Sequence, residues 1–196
     1  MQVYLLRHGK TQGNLEGRYV GRTDEPLSPQ GEQELLRRDY PPVERLYASP
    51  MRRCLQSAQL AYPQMHPILL EGLRETDFGR FEYQTYDQLR DCPAYRAWID
   101  SGGKQAPLGG EPPELFRRRC LGAFLAALEC CKAERIARVA FLTHGGVLMT
   151  LLEALSDPSQ PFYHWQVENG GGWSAQVDWR LEDPLPVRLI DYRKLE

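Results

Sequence analysis

Two apolar runs end in the same way. VYLL at 3–6 leads into Arg7-His8-Gly9, and ARVAFLTH at 137–144 leads into Gly145-Gly146. A short continuous apolar run with β-branched and aromatic members reads as a strand buried on both faces. Such strands belong to parallel sheets covered by helices on either side. RLYA at 45–48 and HPILL at 66–70 are two weaker strand candidates.

Helical patterns lie between these runs. Ser28-Pro29 supplies an N-cap with proline at the first helical position, predicting a helix to about Arg38. It lacks a full capping box, because Gly31 stands where Glu or Gln is wanted. Met51, Leu55 and Ala58 share a face of a second helix that stops before Pro63. Phe116, Cys120, Phe124, Ala127 and Cys131 step by three or four, an amphipathic stripe that makes both cysteines core residues. VLMTLLEAL begins a helix directly after Gly145-Gly146. WSAQVDW and PVRLIDY alternate and flank Asp183-Pro184, which reads as a late hairpin. The pattern predicts an α/β three-layer sandwich with a mainly parallel central sheet. The whole chain, 1–196, is expected to form one domain. Between 72 and 114 the periodicity fails, and SGGKQAPLGGEPPE adds a long Gly/Pro stretch, so this segment is read as a small inserted cap. Packing of the cap is the favoured role for its Tyr83, Tyr86, Tyr95 and Trp98, with stacking on a substrate as the alternative.

The net charge of -2 gives no basic field for nucleic acid, and Arg117-Arg118-Arg119 reads as a solvated face. Five cysteines without CxxC spacing suit a reducing compartment. MQVYLLRHG is too short for a signal-peptide core, and no apolar run reaches bilayer length. A cytoplasmic protein without a membrane partner is expected. Oligomeric state leaves no signal.

In an open α/β sheet, ligands bind beyond the carboxyl ends of the strands. His8 and His144 both stand there, each followed by a glycine that lets a ligand approach the backbone. His66 and His164 have no such setting. A zinc site from His8 and His144 is disfavoured, because Arg7 would repel the ion; no metal or other cofactor is expected. A guanidinium fits an anion, and with the amides opening the helix after Gly145-Gly146 the anion of choice is phosphate. An imidazole that attacks phosphorus must be neutral on the attacking nitrogen. The leaving oxygen needs an acid, and Glu75, Asp77 and Glu82 are all on offer.

LLRHGKTQGN at 5–14 resembles the signature of the histidine phosphatase superfamily, in its phosphoglycerate-mutase-like branch. GRTDEPLSPQGEQEL at 21–35, ASPMRRCLQSA at 48–58, LRETDFGRFE at 73–82 and LTHGG at 142–146 extend the resemblance in the family's order. It implies that His8 is the nucleophile, with Arg7, Arg53 and His144 binding the phosphoryl group. Arg53, rather than Arg52, fills the family position. The resemblance also implies that Glu75 is the acid that later activates water, and that Asn14 and Gly21 help hold phosphate, beside Gly145 at the opening of the helix. No metal is needed in the family, which agrees with the reading of Arg7. Three positions depart from the pattern: Lys10 stands where Glu or Gln is usual, Val20 where a polar residue is frequent, and Tyr83 where glycine is common.

GRTDEPLS together with YRAWIDSGGKQAPLGGE looks most like α-ribazole-phosphatase-type and general phosphatase members, and the short cap lacks the long insertion of true cofactor-dependent mutases. The expected activity is hydrolysis of a small phosphorylated metabolite through a phosphohistidine. A cofactor-dependent phosphoglycerate mutase is the alternative, and a non-catalytic phospholigand-binding module is a more distant one.

Overall fold

In a computed structural model, residues 1–180 and 185–195 are described. Element order is β1 (Gln2–Arg7), α1 (Gln12–Leu15), α2 (Pro29–Leu36), β2 (Arg45–Ala48), α3 (Arg52–Ala61), β3 (Ile68–Leu69), α4 (Tyr86–Leu89), α5 (Pro93–Asp100), α6 (Pro113–Ala133), β4 (Arg138–Thr143), α7 (Gly145–Leu155), β5 (Gly172–Trp179) and β6 (Val187–Leu195). The sheet order is β3-β2-β4-β1-β5-β6. β3, β2, β4 and β1 run parallel, whereas β5 and β6 are added antiparallel beyond β1.

The continuous apolar runs are explained by a division between two faces. Val3 and Leu5 of β1, with Val139 and Phe141 of β4, join a core with α6 and α7. Leu6, Ala140 and Leu142 join Cys54 and Ala58 of α3 on the other side. Each strand alternates its side chains between two covered faces, so nearly every position is apolar. This is the three-layer arrangement expected from the sequence. All five residues of the α6 stripe are buried, Cys120 and Cys131 included.

The sequence reading needs correction at its edges. The run at 66–70 yields only Ile68–Leu69, and both side chains are exposed, at 46% and 50%. Pro67 has no N–H to give a ladder, and β3 is an edge strand with one neighbour. The helix from Ser28 ends at Leu36, two residues short of Arg38. Its Ser28 Oγ accepts from Gly31 N without a reciprocal box, as expected. β5 and β6 pair antiparallel as a late hairpin, and Asp183-Pro184 lies outside the described residues.

Among the described residues, 72–112 contains no strand and carries an apolar cluster of its own. Phe81, Leu89 and Tyr95 are buried there, with Tyr19, Phe78 and Trp98 packed against them. Tyr95 and Trp98 therefore pack the segment, while Tyr86 is 61% exposed. No helix among the described residues is long and apolar enough to cross a membrane.

Phe124 is fully buried on α6, 4.7 Å from the Phe141 ring of β4. Phe124→Ala should lower unfolding free energy in a denaturant titration by about 3–5 kcal/mol. The exposed Leu36 gives the control: Leu36→Ala should change stability by no more than about 0.5 kcal/mol. Equal losses in the two variants would contradict the assigned core.

Candidate active site

The β1–β4 register pairs Arg7 with Thr143, so His8 and His144 are the next residues off two adjacent strand ends. His8 N donates to Thr143 O at 2.9 Å, and the two imidazole centroids lie 5.1 Å apart. β2 ends beside them: Ser49 N donates to Leu142 O, and α3 then presents Arg53. Four predicted residues thus gather at one end of three parallel strands.

His8 is 4% exposed. Its Nδ1 lies 2.7 Å from Gly9 O. A carbonyl oxygen only accepts, so Nδ1 carries the proton and Nε2 is left with a free lone pair. Burial, followed by the charges of Arg53 and Arg7, holds His8 well below its usual pKa. His144 is also held low, by burial and then Arg53. Its Nδ1 accepts from Arg53 Nε at 3.2 Å, which fixes the remaining proton on Nε2, 2.8 Å from Ser49 Oγ. Arg53 is fully buried, and donates as well to Thr23 O at 2.7 Å and Gly21 O at 2.8 Å. Arg7 Nη1 donates to Val167 O at 2.7 Å, while its Nε is a buried donor with no partner among the described residues.

A cavity of about 190 Å³ opens against this cluster. Arg7, His8, Asn14, Glu75, Gly145 and Gly146 line it, together with the largely apolar Tyr19, Val20, Phe78, Met149 and Val167 and with Arg18 and Gln166. Arg53 and His144 are fully buried and do not line the cavity. Gly21 is outside it too: its amide donates to Glu82 Oε1 at 2.8 Å. The three acidic candidates separate clearly. Glu82 also accepts from Thr23 N, and Asp77 is taken by Arg22 and Gly79 N. Only Glu75 of the three reaches the cavity, where Oε2 accepts from Gly146 N at 3.0 Å and Oε1 from Thr76 N at 2.9 Å. Among the described residues, no group of three or more His, Cys, Asp or Glu side chains is placed to hold a metal ion.

Three supporting residues were not found from the sequence. Ser49 lies within the ASPMRR motif, yet nothing there marked its hydroxyl as a histidine partner. Asn169 Nδ2 donates to His8 O and Asn14 Oδ1, both at 3.2 Å, from a loop with no local signal. Arg119 belongs to the triple-arginine run and was read as solvated; it binds the loop that carries Glu75. Arg52 is exposed, as expected, and His66 and His164 are exposed away from the cavity.

The departures find local reasons. Lys10 Nζ binds Glu34 Oε1 at 2.9 Å and does not line the cavity, whereas Val20 does. Tyr83 has φ +61°, in the left-handed region where glycine is at ease and a side chain costs about 1–2 kcal/mol. Its contacts offset that cost: the hydroxyl donates to Glu25 Oε2 at 3.0 Å, and Arg18 sits 5.0 Å over the ring.

The chain belongs to the histidine phosphatase superfamily, branch 1, whose family model it matches over residues 3–179. Within that class it is similar to the adenosylcobalamin/alpha-ribazole phosphatase of Salmonella typhimurium, with 30% identity over 89% of each chain. The alpha-ribazole phosphatase structure from Shigella flexneri aligns at 25% identity with a TM-score of 0.78, covering 100% of this chain and 96% of that one. A phosphoglycerate mutase structure from Thermus thermophilus aligns at 31% identity and TM-score 0.74, covering 100% and 99%. The fold and family expected from the sequence hold, and the phosphatase reading fits the alpha-ribazole phosphatase relatives, with the mutase alternative also represented.

The imidazole state can be tested directly. Because the folded state depresses the pKa of His8 below the usual 6.5, His8 takes no proton until the pH lies well under that value. The unfolded chain does protonate near 6.5, so this histidine's neutral burial costs nothing above that pH and removes stability as pH falls below it. A 15N-histidine NMR titration should show His8 still as the neutral Nδ1–H tautomer at pH 6.5 and below it. A midpoint at or above 6.5 would contradict the site geometry.

Proposed function

We propose that this chain hydrolyses a phosphomonoester of a small metabolite through a phosphohistidine on His8. The observation that carries the reading is the tie between His8 Nδ1–H and Gly9 O, which leaves an unprotonated Nε2 in a cavity shared with Arg7 and Glu75. The Nε2 lone pair forms a bond to phosphorus as the ester P–O bond breaks. The departing oxygen takes a proton from Glu75. Water then attacks the phosphohistidine, Glu75 takes back a proton, and inorganic phosphate leaves with His8 neutral again.

Arg7, whose Nε has no partner among the described residues, and the start of α7 at Gly145 supply donors to the phosphoryl oxygens. Asn14 lines the same cavity. Arg53 adds positive charge near His8 and, bonded to His144, keeps that ring in place. Gly21 serves through its carbonyl, as a partner that orients Arg53. Residues 72–114 act as a cap on a single catalytic domain spanning 1–196. Five free cysteines accord with work in the cytoplasm.

The largely apolar lining of Tyr19, Val20, Phe78, Met149 and Val167 suits a bulky leaving group such as a nucleoside. This agrees with relatives named for alpha-ribazole. Turnover of 3-phosphoglycerate, whose carboxylate would seek a cation, is disfavoured: Arg18 is paired with Glu16 at 2.5 Å and with Tyr83 O at 2.8 Å. Screening alpha-ribazole phosphate, nucleotides, sugar phosphates and 3-phosphoglycerate tests this choice. Isomerisation of 3-phosphoglycerate activated by a bisphosphate would favour the mutase instead.

His8→Ala should leave only a trace of activity with the fold intact. A rate within about tenfold of the parent, roughly 1.4 kcal/mol of barrier, would exclude His8 as nucleophile. Rapid alkaline quenching should retain labelled phosphate on the His8 peptide, and acid should remove it. Exhaustive chelation should leave turnover unchanged. Activity lost to a chelator and restored by a divalent metal, with no acid-labile label, would overturn the mechanism.

Glu75→Gln should slow phosphoenzyme formation by about 10²-fold or more with an alkyl phosphate, whose leaving group needs the proton. An aryl phosphate with an activated leaving group should lose far less. Equal losses measured by rapid quench would remove Glu75 from the acid role.

A further inference from the structure

We infer that Arg119 is the residue that positions the Glu75 carboxyl, acting through the backbone of 72–75. The inference rests on the reading of Glu75 as the acid.

Glu75 leaves a segment with little structure of its own, a single 3-10 turn at Glu71–Leu73 followed by extended chain. Its carbonyls need donors, and one guanidinium collects three of them. Arg119 Nη1 donates to Gly72 O at 2.9 Å and Arg74 O at 2.6 Å, and Nη2 donates to Glu75 O at 3.1 Å. The other edge of the same fork grips Glu111, with Nε to Oε1 at 2.7 Å and Nη2 to Oε2 at 2.8 Å. Glu111 N in turn donates to Asp77 O at 2.9 Å. The loop is thus held at both ends of the stretch that carries Glu75.

The backbone of α6 comes close at the same place. A Cβ on Gly72 would lie 2.6 Å from Ala123 Cβ and 2.8 Å from Arg119 O. Helix and loop are in contact through main chain as well as through the guanidinium. A planar fork with five donors can serve three carbonyls and a carboxylate together; an ammonium with three donors cannot. Arg119 does not line the cavity; its charge is also felt by Glu75 and His144, so Arg119→Lys, which keeps that charge, isolates the guanidinium's hold on the loop.

Arg119→Met and Arg119→Lys test this, the second keeping the charge should the first fail to fold. Phosphoenzyme formation is measured by rapid quench with an alkyl phosphate and with an activated aryl phosphate, in the parent, E75Q, each Arg119 variant and the double variants. Both Arg119 variants should slow the alkyl substrate by about tenfold or more, part of the roughly 10²–10⁴ that a positioned acid supplies. The aryl substrate should lose no more than about threefold, and added to E75Q the Arg119 changes should do almost nothing further. A general loosening of the fold would instead slow both substrates alike and add to E75Q. Equal losses on the two substrates, or additive losses in the double variants, would overturn the role of Arg119 while leaving Glu75 untouched. E75Q showing no leaving-group dependence would remove the acid role itself, and this inference with it.

Discussion

The hydrogen bond from His8 N to Thr143 O closes the parallel ladder between β1 and β4, and the site hangs on that register. It sets His8 and His144 side by side at the sheet's carboxyl end. A shift of one residue would send each histidine toward the opposite helical layer, because strand side chains alternate. The two-sided core prevents such a slip. Val3, Leu5, Val139 and Phe141 fill one layer and Leu6, Ala140 and Leu142 the other, so no residue can change face without burying a mismatch. The hydrophobic pattern that builds the fold also fixes the distance between the two imidazoles.

Electrostatics around these rings are severe. Arg7 and Arg53 lie near two buried imidazoles, and either ring, if protonated, would face both burial and like charge. The result is a pair of neutral histidines whose protons are assigned by fixed partners. Gly9 O holds the proton of His8 on Nδ1, while Arg53 and Ser49 hold that of His144 on Nε2. Opposite tautomers are thus imposed on two rings 5.1 Å apart.

The parts of the molecule that obey period and length were legible in the sequence. β1, β4 and the α6 stripe announce themselves through runs or spacings that only a covered strand or an amphipathic helix satisfies. β3 was overestimated, since HPILL is apolar enough for a strand but carries Pro67 at a sheet edge. Among the polar residues, His8 and His144 were visible because each terminates an apolar run. The choice of Glu75 over Asp77 and Glu82 came from family resemblance; of the three, Glu75 alone lines the cavity. Ser49, Asn169 and Arg119 were invisible for a common reason. Each acts through a partner far along the chain, 95 residues away for Ser49 and His144, and 44 for Arg119 and Glu75. Sequence pattern records neighbours at helical or strand spacing and carries no trace of such distant pairs.

Arg7 Nε brings a further consequence. A buried donor without an acceptor among the described residues is costly, and in the proposed mechanism a phosphoryl oxygen would supply that acceptor. The gain does not depend on whether the phosphoryl group is still esterified. On that reading inorganic phosphate gains it as fully as substrate does, and the group proposed to hold the ester also holds the product. Phosphate in the medium then competes with substrate for the same donor, and the leaving group's contacts with the apolar lining are what favour the ester over the spent phosphate.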